Sequence, residues 1–262
     1  MYEVGQPTHL PGPCTIIGAS TTVRLHAPLR ISEDTEVSGA LRFESSEWLD
    51  GPCLTVEGSL KLQAGSSVAF KGCRNRRETA RGGALFVTRD FETSGDLAFD
   101  GCIARGAKDS DGGAMAVHGN VRILAGRLTV NEASAWNGGA IWSEGAVHVA
   151  GGLVTISQAS AGGVGGAMMS NGMDVAGGNI AISNATAGVF GGAIYSYVGD
   201  VNVTEGSVTI SGVIARQDGG AIYIYHGDAN VAGGNLTISH TTAESGSGGA
   251  IVANGGVTVA GR

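Results

Sequence analysis

The chain has 262 residues, of which 46 are glycine, 42 % hydrophobic, 15 % charged and 5 % aromatic. Five prolines and the lack of any Gly-X-Y register exclude a disordered Pro/Gly tract and collagen. The formal charge of −7 argues against a role dominated by nucleic-acid phosphate contacts, and no apolar run approaches the roughly 18 residues of a membrane-spanning helix.

The opening MYEVGQPTHLPGPC lacks the basic start and apolar run of a signal peptide. Gly12-Pro13-Cys14 and Gly51-Pro52-Cys53 begin similar segments 39 residues apart, so residues 1–52 are expected to form irregular N-terminal coils. One coil then follows from CLTVE at Cys53–Glu57, LKLQAG at Leu60–Gly65 and VAFKGC at Val68–Cys73. From there Gly-Gly-Ala recurs seven times, its alanine at Ala84, Ala114, Ala140, Ala167, Ala193, Ala221 and Ala250, with spacings of 30, 26, 27, 26, 28 and 29 residues. Self-similarity at so narrow a period marks a solenoid.

Each period holds three short segments of alternating apolar residues rich in Val, Ile and Thr, separated by glycine turns; this is strand patterning. The expected fold is therefore all-β. It is a single-stranded right-handed parallel β-helix of about nine coils, three short strands to a coil, forming one domain over residues 1–262. Coils of about 27 residues run regularly over 53–262. In the first strand, Leu85, Met115, Ile141, Met168, Ile194, Ile222 and Ile251 must face the core. In the third, Val68, Leu97, Leu128, Val154, Ile180, Val208 and Leu236 do so, with Phe70, Phe99, Val130, Ile156, Ile182, Ile210 and Ile238 two places on.

Phe70-Lys-Gly-Cys73 followed by Gly82-Gly83-Ala84-Leu85, and Phe99-Asp-Gly-Cys102 followed by Gly112-Gly113-Ala114-Met115, resemble the Phe-x-x-Asn and Gly-Gly-Ala-Ile repeats of chlamydial polymorphic outer-membrane proteins. Similar repeats occur in algal and protist surface proteins. The resemblance covers roughly Val68 to Arg262 and departs in its Asn, replaced by Cys73, Cys102, Ala133, Ala159, Ala185, Val213 and Thr241. It implies a surface-exposed β-helix used for adhesion or as a stalk, and does not imply an enzyme.

Alternation turns Phe86, Trp142, Met169, Tyr195 and Tyr223 outward on the first strand, with Tyr197 and Tyr225 in the neighbouring outward column. Six aromatics on one sheet are a candidate platform for a glycan or a protein partner; cross-strand stacking that merely stabilises the sheet is the alternative. His118 and Glu144 share an outward column beside Trp142. They are the weak candidates for a polysaccharide-active enzyme, since lyases and hydrolases of this shape use larger carboxylate clusters. On the third strand Thr129, Thr155, Thr209 and Thr237, with Asn131, Ser157, Ser211 and Ser239, offer an ice-binding Thr-x-Ser alternative, interrupted at Ala69, Ala98 and Ala181. Lys61, Glu92, Arg122, His148, Asp174, Asn202 and Asn230 form an outward row on the second strand, a solvated ladder. Arg74, Arg76, Arg77 and Arg81 crowd one turn that an acidic partner or anionic sugar would suit. Asn184, Asn202 and Asn235 begin glycosylation sequons.

No phosphate loop, metal-ligand spacing or calcium nonapeptide occurs, so no cofactor and no metal are expected. Cys73 and Cys102 occupy equivalent places on consecutive coils and are expected to be two thiols; Cys14 and Cys53 are left open. The last segment, Val257–Arg262, is expected to leave an uncapped end that more chain or a partner covers. The sequence therefore points to a non-catalytic structural or adhesive segment, extracellular or at the cell surface. An accessory docking subunit of a larger assembly is the other non-enzymatic reading.

Overall fold

The computed structural model describes residues 1–106 and 109–260. Among them there is no helix, and the strands stack in parallel as a β-solenoid. One sheet has ten strands, a single strand from each rung, running from Thr8–Leu10 through Ile141–Ser143 to Ile251–Ala253. The other strands form a 22-stranded sheet that wraps the remaining sides. The number of coils is close to the expected nine. Residues 1–52 join the same register: Cys14 pairs with Thr35 and Thr35 with Leu60, with one shift between Gly18 and Thr21.

The register reproduces the expected core columns. Met115, Ile141, Met168, Ile194 and Ile222 pair in sequence and are buried. Phe43, Phe70 and Phe99 stack inside the third-strand column with centroids 4.9 and 5.2 Å apart. Beyond them the column becomes Val130, Ile156, Ile182 and Ile210, all buried. Parallel in-register stacking lets identical faces meet on every coil, so one aliphatic or aromatic ladder serves the whole rod.

Each coil also has a fourth segment that alternation could not reveal, because it is only two residues long. Ile103–Ala104, Ser134–Ala135, Ser160–Ala161 and Thr186–Ala187 are examples. The residue two places before each of these sits in the left-handed region: Gly101, Glu132, Gln158 and Asn184 have φ of 63°, 54°, 55° and 53°. Gly-Gly-Ala follows from the same corner. Gly138 has φ of 54°, and a Cβ on Gly139 would collide with the carbonyl of Gly166 and lie 2.6 Å from the Ser160 carbonyl carbon. The next residue, Ala140, is buried. The motif is thus the imprint of backbone lying directly on backbone.

Turn carboxylates and amides tie successive coils together. Asp34 Oδ1 accepts from the Ser59 N–H (2.7 Å), Asp90 Oδ1 from Asn120 (2.7 Å), Asn120 Oδ1 from Ala146 (3.0 Å) and Asp200 Oδ1 from Asp228 (2.8 Å). The Asn120 N–H, ahead of the Arg122 guanidinium, holds the Asp90 carboxyl below its ordinary value.

One expectation about cysteine is corrected. Cys73 is not a thiol: it is bridged to Cys53, with Cα atoms 5.8 Å apart. Cys53 stands where later coils have the Ala of Gly-Gly-Ala, since Leu54 pairs with Leu85. In the next coil the equivalent positions are Ala84 and Cys102, so no bridge forms there. Cys102 and Cys14 are free, and burial pushes the Cys102 thiol up to about 12.

Candidate binding face

The outward side of the ten-stranded sheet carries two adjacent columns. One runs His9, Arg30, Thr55, Phe86, Ala116, Trp142, Met169, Tyr195, Tyr223 and Val252. None of them joins the cluster of side chains packed inside the coils, as the alternation required, although Ala116 is fully buried. Outward is not the same as exposed, however. Tyr195 and Tyr223 retain only 7 % and 8 % of their accessible surface, which corrects the expectation of an open aromatic row. Their rings stack 5.6 Å apart and nearly parallel, and Phe190, from the loop before Gly191, lies on Tyr223 at 4.6 Å. Burial pushes the Tyr195 phenol up to about 12.

The open aromatics are in the neighbouring column. Tyr197 and Tyr225 keep 46 % and 38 % of their surface, and their rings stack at 5.6 Å with planes 2° apart. The His226 ring lies 4.3 Å from Tyr225. Val198, beside Tyr197, is also exposed.

The central coils hold a different cluster. His118 is packed edge-on between Phe86 (4.9 Å) and Trp142 (6.0 Å), and Arg81 lies over the Trp142 ring at 5.6 Å. His118 Nε2 is buried without a hydrogen-bond partner. Burial first, and then the Arg81 charge, hold its imidazole below the ordinary value against the opposing pull of Glu144. His118 and Glu144 lie on adjacent coils, but no hydrogen bond or ion pair joins them among the described residues. Glu144 is exposed, and its backbone carbonyl accepts from Asn171 Nδ2 (2.7 Å). The pair expected to do acid–base work is brought near but not coupled.

Comparison brings no relative. No protein-family model, curated protein or solved structure matches the chain. The site must therefore be read from its own residues.

The remaining candidate columns are formed as strips. Ala98, Thr129, Thr155, Ala181, Thr209 and Thr237 align on the third strand, with the two alanines interrupting the threonines. In the adjacent strip the Ser157 hydroxyl donates to Asn131 (3.0 Å). The second-strand row is paired along its length: Lys61 with Glu92 (3.0 Å) and His148 with Asp174 (3.0 Å). Asn202 Nδ2 donates to Asp174 (2.8 Å) and Asn230 Nδ2 to Asn202 (3.0 Å). Arg122 turns instead to Asp90 at 3.1 Å. Of the sequon asparagines, Asn184 and Asn235 are exposed, while Asn202 is engaged in this row.

The basic turn divides. Arg76 pairs with Asp50 at 2.7 Å, and Arg74 lies over Trp48 at 5.9 Å, with Arg105 also on that ring at 5.7 Å. Arg77 and Arg81 face the ten-stranded sheet. Trp48 and Trp136 were not singled out by sequence, because they lie at the two-residue corner; together with Ile103 and Arg105 they line a cleft of about 360 Å³. Among the described residues no group of three metal-ligating side chains occurs, and no helix is long and apolar enough to cross a membrane.

Proposed function

We propose that this chain is a non-catalytic β-helix segment of an extracellular or cell-surface protein, and that the outward side of its ten-stranded sheet is an adhesive face. The observation that carries the reading is the Tyr197–Tyr225 pair. Two flat rings, held parallel by strand register and left open to solvent, form a rigid platform that loses little side-chain entropy when a ligand's apolar face settles on it. The Cys53–Cys73 bridge supports an oxidising compartment, since disulfides persist outside the cytosol. The repeat resemblance to chlamydial and protist surface proteins agrees with both points. An enzyme centred on His118 and Glu144 is disfavoured by their lack of coupling and by a buried, unpartnered imidazole nitrogen.

The test is a double substitution, Tyr197→Ser with Tyr225→Ser, assayed on a glycan array and for cell-surface adhesion. Loss of wild-type binding with an unchanged circular dichroism spectrum is the expected result. Retained binding by the double variant would contradict the assignment, as would glycan depolymerisation by the wild-type protein.

A further inference from the structure

The other end of the same face has a feature that the tyrosine pair does not use. Two adjoining clefts, of about 240 and 210 Å³, share Arg30, Pro52, Thr55 and Arg77. Pro7 and Pro28 wall the first and Phe86 with Arg81 the second. Their carboxylates are already neutralised: Glu57 binds Arg30 at 2.8 Å and Asp50 binds Arg76 at 2.7 Å. Arg77 and Arg81 have no ion pair among the described residues. Asp111, bridged to Arg81 through the backbone, accepts instead from Asn137 Nδ2 (3.1 Å).

The arginine loop is held in place by two devices. Buried Asn75 clamps both of its ends: Oδ1 accepts the Arg77 N–H (3.1 Å) and Nδ2 donates to the Gly82 carbonyl (3.0 Å). The disulfide joins Cys53, next to Pro52 in the cleft, to Cys73 at the root of the loop. Fixing a loop before binding removes an ordering cost from association. Charge along the rod agrees. Residues 1–131 carry 14 basic against 15 acidic side chains, and residues 132–262 carry 2 against 8, so an anion meets repulsion over the second half and arginine in the first.

We propose that this double cleft binds an acidic polysaccharide, a uronate chain laid along the solenoid axis. Its carboxylates would meet Arg77 and Arg81, whose planar forks suit that geometry, and its sugar rings would lie on the prolines and Phe86. A sugar chain fits better than an acidic peptide strand. The strands beneath, Leu29–Ile31, Leu54–Val56 and Leu85–Val87, are each paired on both sides, so no sheet edge is open for strand addition. This inference stands separately from the tyrosine platform.

Titration calorimetry with oligogalacturonate, its methyl ester and poly-glutamate tests it. Oligogalacturonate should bind with an affinity that falls as salt is raised, while the ester and poly-glutamate bind at least about ten-fold more weakly. Arg77→Ala and Arg81→Ala should each weaken oligogalacturonate binding about ten-fold, and the Tyr197→Ser/Tyr225→Ser protein should bind as wild type does. If Arg81→Ala disturbs folding through Trp142, Arg81→Lys keeps the charge and should still lose affinity for want of the fork. No binding by the wild-type protein, equal binding of the ester, equal or tighter binding of poly-glutamate, or arginine variants without effect would each overturn the proposal.

Discussion

The coils before about residue 130 keep four of their five phenylalanines in the core, whereas those after it carry their tyrosines on the outer side of the ten-stranded sheet. In the first region Phe43, Phe70, Phe91 and Phe99 are buried and the surface is rich in ion pairs such as Lys61–Glu92 and Arg76–Asp50. In the second, the equivalent inward places hold Val130, Ile156, Ile182 and Ile210, and the rings of Tyr195, Tyr197, Tyr223 and Tyr225 stand outside. Loops differ in parallel. The basic loop after Asn75 is long and needs a disulfide and a buried asparagine to hold it, whereas the later corners are short and glycine-lined. Register alone keeps a solenoid together, and its side chains can then be divided between core volume and surface recognition without changing the backbone.

The sharpest way to break this comparison is to shrink the core in each region. Phe70→Ala removes the middle ring of the phenylalanine stack and should cost about 3–5 kcal/mol, whereas Ile182→Val should cost about 0.5–1.5 kcal/mol. Denaturant unfolding of the two variants checks the ordering; equal losses would mean that the first region is not packed through its rings.

Reducing the Cys53–Cys73 bridge, which closes 20 residues of sequence, should destabilise the protein by about 3 kcal/mol. Hydrogen exchange should place that loss in the coils around residues 50–80 and leave the later coils unchanged. The equivalence of Ala84 and Cys102 to the bridged pair gives a converse. Ala84→Cys should form a second disulfide with Cys102, seen as a mass gain of about four daltons on full reduction where the wild-type protein gains about two.

The left-handed corner gives a smaller effect of opposite sign in the two regions. Gln158→Gly relieves a side chain from positive φ and should stabilise by about 0.5–1 kcal/mol, while Gly101→Ala should destabilise by about 1 kcal/mol. Thermal unfolding of both variants reads the difference.

The smallest expected effect is on pH. His118 has its folded value lowered, first by burial, so the unfolded chain binds the proton more readily. Stability should therefore fall as pH drops through the unfolded histidine value of about 6.5, until the folded imidazole also protonates. His118→Gln should flatten that part of the profile in a pH series of unfolding curves.

The columns were legible because alternation and a fixed period act together: Ile141, Met168, Ile194 and Ile222 could be assigned to one ladder with no structure in hand. What period-two alternation cannot carry is anything at the corners. The two-residue segments, the inter-coil carboxylate ties and the Trp48–Trp136 cleft all lie there. The cysteine pairing was hidden for a related reason. Cys53 and Cys73 sit just before different strands of one coil and meet only once that coil closes, although Gly51-Pro52-Cys53 standing in the place of Gly-Gly-Ala was a usable signal. The tyrosines show how far alternation reaches within a strand. Alternation gave Tyr195 and Tyr223 their outward direction, but their covering by stacked neighbours and by Phe190 depends on a loop from outside the strand.

Hydroxyl-radical footprinting read by mass spectrometry tests the division of aromatics most directly, since it reports the accessibility of each ring in the folded protein. Tyr197 and Tyr225 should be oxidised readily, while Tyr195, Tyr223, Phe70 and Phe99 stay protected until the protein unfolds. Oxidation of Tyr195 and Tyr223 ahead of Tyr197 and Tyr225 would contradict the register on which the binding face depends.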